Sequence, residues 1–90
     1  MLRRPIEVTR VWTESLDSNP YYVRYHMDDA SDRAFVVEQQ RSIGIIKLKE
    51  PIRGPKTVEL HLHMNVFSRS NVLVSHNVAI IYVHVAEFFI

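Results

Sequence analysis

The sequence predicts an all-β fold, a two-sheet antiparallel β-sandwich of about seven strands, and three observations carry that expectation. Apolar and polar residues alternate with period two along most of the chain. Apolar residues at helical spacing are nearly absent. Clusters of turn-forming residues recur about every ten positions, the spacing of short strands in a sandwich or barrel. A length of 90 residues allows one domain, assigned as 1–90, with a real but modest core.

Taken in order, the first strand is 6–12, and Trp12, the single tryptophan, is expected in the core. After the Asp17-Ser18-Asn19-Pro20 turn, residues 22–26 form the second strand. Tyr22 and Arg24 share one face there, with Tyr21, Val23 and Tyr25 on the other. The cluster at 28–32 breaks the chain before a strand at 34–38. In 43–49, Ile46 and Leu48 point one way while Ile45, Lys47 and Lys49 point the other. The clearest strand is 57–66, with Val58, Leu60, Leu62, Met64 and Val66 opposed to Thr57, Glu59, His61, His63 and Asn65. A turn at 68–71 leads into a short strand at 71–75, and a break at 75–77 precedes the last strand. There Ile81, Val83 and Val85 oppose Ile80, Tyr82, His84 and Ala86. Parity thus places Val58, Leu60, Leu62, Met64, Ile46, Leu48, Ile81, Val83 and Val85 in the core.

Between the fourth and fifth strands lies Pro51-Ile52-Arg53-Gly54-Pro55, which holds one of only two glycines. Neither proline has an amide donor for a central ladder. Pro55 disfavours the right-handed helical region at Gly54, and glycine can occupy backbone regions closed to other residues. The expectation is a rigid corner in which Gly54 adopts such a conformation.

A net charge of +1 removes global electrostatics as a guide to partners and argues against nucleic acid. The charge is uneven, however. Glu14, Asp17, Asp28, Asp29 and Asp32 make 13–32 acidic, while Arg41, Lys47, Lys49, Arg53 and Lys56 make 41–56 basic. Two readings stand: a mutually compensating solvated surface, or a patch of Lys47, Lys49, Arg53 and Lys56 that holds a sulfated glycosaminoglycan. The absence of cysteine excludes disulfides and Cys-based zinc sites. The first residues lack the apolar core of a signal peptide. The longest apolar run, interrupted by His84 and Glu87, is too short for a bilayer, so no membrane insertion is expected. No Asn-x-Ser/Thr acceptor for an N-glycan is present.

The stretch GIIKLKEPIRGPKTVELHLHM resembles the core of the C-terminal module of the fibulins, shared by the hemicentins. That pattern is a glycine, an alternating strand, a Pro-Ile/Leu-x-Gly-Pro corner and a second alternating strand. Here these are Gly44, Ile46, Leu48, Pro51, Ile52, Gly54, Pro55, then Val58, Leu60 and Leu62. YYVRYHM and AFVVEQQRSIG upstream, and the closing VAIIYVHVAEFFI with Phe88 and Phe89, extend the likeness over most of residues 6–90. The His61-Leu62-His63 pair and the terminal FFI depart from the pattern. The resemblance implies a non-catalytic module of secreted extracellular matrix proteins, following calcium-binding EGF domains and needing no cofactor. Its implied partners are extracellular matrix proteins, and its implied role is elastic-fibre or basement-membrane assembly. FVVEQQRSIGIIKLKEPI is also similar to part of a cadherin repeat, which makes a calcium-dependent cell-adhesion domain the alternative. Calcium needs many oxygen ligands, and Glu87 is the only carboxylate in 65–90.

Other chemistry has thinner support. His61 and His63 share a strand face, and with His84 they have the residue types of a zinc site; otherwise they are histidines on a wet face. Asp28, Asp29 and Asp32 lack the glycine and terminal glutamate of an EF-hand loop and read as a capped turn or a calcium site. No nucleophile elbow surrounds Ser68, Ser70 or Ser75, and an enzyme is not expected. At the C-terminus, Ile80, Tyr82 and Phe88 form an outward apolar row, expected either to dock a partner protein or a second copy, or to be covered by the folded-back tail.

Overall fold

The computed structural model describes residues 4–12, 21–29 and 31–86. Their strands are β1 (Ile6–Trp12), β2 (Tyr21–Met27), β3 (Phe35–Gln40), β4 (Ile43–Leu48), β5 (Lys56–Ser68) and β6 (Leu73–Val85). They form two antiparallel sheets in the orders β1-β4-β3 and β2-β5-β6. The sandwich is as expected, with six strands among the described residues rather than seven. The discrepancy lies in β6. Ser75, His76 and Asn77, read as a break, stay in the ladder opposite Val66, Asn65 and Met64. Their side chains are exposed, so polar turn-formers cost little once the ladder satisfies the backbone. The register shifts only once along the pair, between Val66 and Phe67.

At the hairpin tip, the amide of Asn71 donates to the carbonyl of Ser68 at 2.9 Å and that of Ser68 donates to Val72 at 2.9 Å. Asn71 sits at φ 66°, a left-handed conformation that asparagine tolerates.

Alternation decides the core. Phe35, Ile46 and Leu48 of the first sheet meet Val58, Leu60, Leu62 and Val85 of the second, with Ala34 and Ile52 closing the cluster. The sheets differ in length. Strands β5 and β6 have 13 residues each, which span ~44 Å, whereas the 6 residues of β4 span ~20 Å. The short sheet therefore covers only part of the long hairpin, and the molecule extends 46 Å along its longest axis. Met64, Ile81 and Val83, expected in the core, are only half-buried; Ile81 and Val83 lie on the edge strand β6, opposite the buried Leu60 and Val58, and pack against the core cluster.

Side chains on inward positions tie the sheets together. The ring of Tyr25 on β2 lies over Gly44 of β4, where an added Cβ would approach it to 2.9 Å. Its hydroxyl donates to the carbonyls of Ser42 at 2.5 Å and Val11 at 3.3 Å. Gln39 of β3 reaches the edge of β2: its amide nitrogen donates to the carbonyl of Val23 at 2.6 Å, and its oxygen accepts the amide of Tyr25 at 3.2 Å.

Two expectations are corrected, and one residue is buried on the face that alternation turned away from the core. Trp12 is 59% exposed, because it ends the edge strand β1 on the face away from Val11 and the core. Ile45 faces outward as alternation requires, yet it is fully buried at the middle of the central strand, directly between Arg10 and Glu38. Gly54 has no left-handed backbone; its bond to Pro55 is cis. The glycine is required for space instead, since an added Cβ would stand 1.9 Å from the carbonyl oxygen of Ala86 and 2.5 Å from that of Val85.

Candidate functional site

Directly opposed residues in a sheet share a face, and the register of the β2-β5-β6 sheet therefore fixes its outer surface. On β5, the buried Val58, Leu60 and Leu62 leave Thr57, Glu59, His61, His63, Asn65 and Phe67 outside. The opposed residues on β2 are His26, Arg24 and Tyr22, and those on β6 include His84, Tyr82, Ile80, Val78 and His76. All 5 histidines of the chain thus lie on one face of one sheet.

This surface divides into three zones. Near the hairpin tip, Tyr22 stacks on Phe67 with ring centroids 5.4 Å apart, and the guanidinium of Arg24 lies 5.2 Å from the Tyr22 ring centroid. The Tyr22 hydroxyl donates to the side-chain oxygen of Asn71. In the middle, His63 Nε2 is 3.0 Å from Asp28 Oδ2, and His63 Nδ1 is 3.0 Å from His76 Nε2. His63 and His76 are stacked at 5.3 Å, with His26 5.8 Å from His63 on the other side. Toward the far end, His61 Nε2 meets Glu59 Oε2 at 2.5 Å, and His84 Nδ1 meets Thr57 Oγ1 at 2.9 Å. The hydrogen bond from His61 holds the Glu59 carboxyl below its ordinary range.

Along β6 runs the expected apolar row. Ile80 and Tyr82 are 55% and 59% exposed, and Val78 extends the row at 44%. Phe88, assigned to the same row, lies outside the described residues. Strand β6 is an edge strand, and its 13 residues include no lysine, arginine, aspartate, glutamate, proline or glycine. These are the residues that usually blunt an exposed edge.

The other singled-out groups are distributed differently. The zinc grouping does not assemble: His61 turns to Glu59, His84 to Thr57 and His63 to Asp28 and His76. Among the described residues, no three potential ligands converge on a metal position. Asp32 Oδ1 accepts the amide of Ala34 at 2.9 Å, which is turn capping. Lys47 pairs with Glu38 at 2.6 Å and Lys56 approaches Asp32 at 3.9 Å, while Lys49 lines a hollow that includes Asp28, Asp29 and Asp32. Arg53 is exposed in the corner before β5.

Two features escaped the sequence. One is the Asp28–His63–His76 chain, whose members come from three segments and meet only through sheet register. The other is an apolar groove of about 520 Å³ between β1 and β6, lined by Ile6, Val8, Leu48, Ile52, Val83 and Val85. Alternation marks each of these residues as apolar but gives no sign that the layers part there.

Fold and surface together define a small antiparallel β-sandwich module. The chain belongs to the fibulin C-terminal domain family: the family's Ig-like domain matches residues 1–87. It is 36% identical over 84 residues to Fibulin-1 of Caenorhabditis elegans, a match covering 93% of this chain and 11% of that protein. No solved structure matches the chain. The Gly44 to Leu62 motif therefore marks a likeness spanning nearly the whole sequence. The chain is a module of an extracellular matrix protein family, and it spans about a tenth of the length of the relative it matches. The cadherin alternative finds no support in these likenesses.

Proposed function

We propose that the chain is a secreted, non-catalytic protein-binding module, contributing to elastic-fibre or basement-membrane assembly and docking matrix partners on the outer face of β6. One observation carries the docking assignment: Val78, Ile80 and Tyr82 form a continuous exposed apolar row on an uncharged edge strand. Apolar surface of this kind on a small domain usually marks a contact site. Membership of the fibulin C-terminal domain family supports the matrix setting. A glycosaminoglycan role would rest chiefly on Lys49 and Arg53, since carboxylates accompany Lys47 and Lys56.

An Ile80→Ser/Tyr82→Ser double variant tests the docking face. Both side chains are more than half exposed, so its melting temperature should stay within a few degrees of the parent. Binding to immobilised purified elastic-fibre and basement-membrane components should fall at least tenfold. Unchanged binding by a folded double variant would remove this face from the proposal.

A further inference from the structure

We propose that the free edge of β6 pairs antiparallel with β6 of a second copy of this chain, about a two-fold axis at Ile80. The contact is backbone to backbone and joins two separate sheets into one. It does not rest on the matrix-docking role, which uses the outer face of the strand and not its edge.

The four edge strands of the sandwich are treated unequally. Strand β1 carries Glu7 and Arg10 and a register shift between Glu7 and Thr9. Strand β2 carries Arg24, and the amide of Gln39 covers part of its edge. Strand β3 carries Glu38. Charges and bulges of this kind keep an edge from pairing with another chain. Only β6 has neither a charged residue nor a proline, although at 13 residues it ties with β5 as the longest strand. Its single irregularity lies at the hairpin tip, so the ladder from Ser75 to Val85 is regular. In such a ladder, alternate residues turn their N–H and C=O away from β5, and no described strand receives them. Six of the ten large apolar side chains exposed among the described residues also fall within 72–82.

Self-complementarity identifies the occupant. A two-fold interface matches one patch with itself, and directly opposed residues in antiparallel strands share a face. An axis at Ile80 sets Ile80 against its own copy and Val78 against Tyr82 of the second chain, so the exposed apolar row meets only itself. An aromatic opposite a β-branched residue is a favourable cross-strand pair. On the inner face, Ala79, Asn77 and Ser75 then oppose Ile81, Val83 and Val85, small against large throughout. Moving the axis by one residue instead sets Tyr82 against His76, or Val78 against His84. Each short sheet packs on the Val85 end of its own β6, so the two lie toward opposite ends of the joined sheet.

The test is sedimentation equilibrium of the untagged chain, without any matrix component, at concentrations from micromolar to millimolar. A reversible monomer–dimer equilibrium is expected. Val78→Lys/Tyr82→Lys sets lysines against each other twice across the axis and should weaken the dimer at least tenfold. Val78→Glu/Tyr82→Lys sets opposite charges there and should dimerise within a few-fold of the parent. Both variants strip the apolar row equally, so a lost matrix-docking face would affect them alike, whereas only the proposed register separates their self-association. Far-UV circular dichroism verifies that each is folded. Amide hydrogen exchange provides a second readout: alternate β6 amides should gain protection as concentration rises, and those of β1 should not. A parent that stays monomeric at millimolar concentration, equal dimerisation by the two folded variants, or protection that appears on β1 instead overturns the proposal.

Discussion

Gly54 is confined by what stands where its side chain would be. The obstacles to a Cβ are the carbonyl oxygen of Ala86, at 1.9 Å, and that of Val85, the last residue of β6, at 2.5 Å, and backbone atoms yield less readily than a side-chain tip. Gly44 is also confined, but by the ring of Tyr25, a side chain rather than backbone. Overpacking a well-filled site usually costs about 1–3 kcal/mol and occasionally more. Gly54→Ala should therefore cost at least about 3 kcal/mol in urea unfolding, and Gly44→Ala about 1–2 kcal/mol. A Gly54→Ala cost below that of Gly44→Ala would show that the corner yields and that close packing does not explain the glycine.

Among the elements, the two outer edges of the β2-β5-β6 sheet are treated differently. The side chain of Gln39 stands in for a neighbouring strand on β2, accepting from Tyr25 and donating to Val23. Along β6 there is no charge or proline, and the outer face of that strand is the proposed docking row. Removing the amide leaves two backbone groups in a partly buried place without their partner, at about 1–3 kcal/mol for each group left unsatisfied. Gln39→Leu should accordingly lower stability by about 1–3 kcal/mol and accelerate amide hydrogen exchange at Tyr25. Unchanged exchange at that amide would show that solvent already serves the β2 edge. The hairpin of β5 and β6 presents another element-level contrast. Its strand character was legible because alternation persists through Val66, but its continuity through Ser75, His76 and Asn77 was not. Three turn-forming residues in a row carry the same local signal whether the chain turns or stays paired.

For the whole molecule, pH dependence follows from where the charges sit. Hydrogen bonds from Arg10, Lys47 and His61 hold Glu7, Glu38 and Glu59, respectively, below the ordinary value of 4.5. Their contribution to stability is fully present above that value and is lost as pH falls through the lowered folded values. All three lie at the surface, so the acid limb should be shallow. Burial raises the Tyr25 hydroxyl above 10.0, so its contribution is present below pH 10.0 and is lost as pH rises through the folded value. A urea midpoint measured across pH should thus fall gently in acid and again in strong alkali. Tyr25→Phe should flatten the alkaline limb and leave the acid limb unchanged, and an alkaline fall that persists in that variant would locate its cause elsewhere. Of this molecule, the sequence by itself determined the all-β class, the inward faces of β4 and β5, the Pro-Gly-Pro corner and the family. Period-two alternation records the two faces of a strand directly, and the corner is a local motif of a few residues. Only the tertiary structure decided that β6 is one strand, that Trp12 lies outside, that Gly54 is pressed by β6, and that Asp28, His63 and His76 meet. Each depends on which strand lies beside or above another and how far one sheet overhangs the next. Alternation assigns a residue to a face, but the stacking of unequal sheets determines what covers that face.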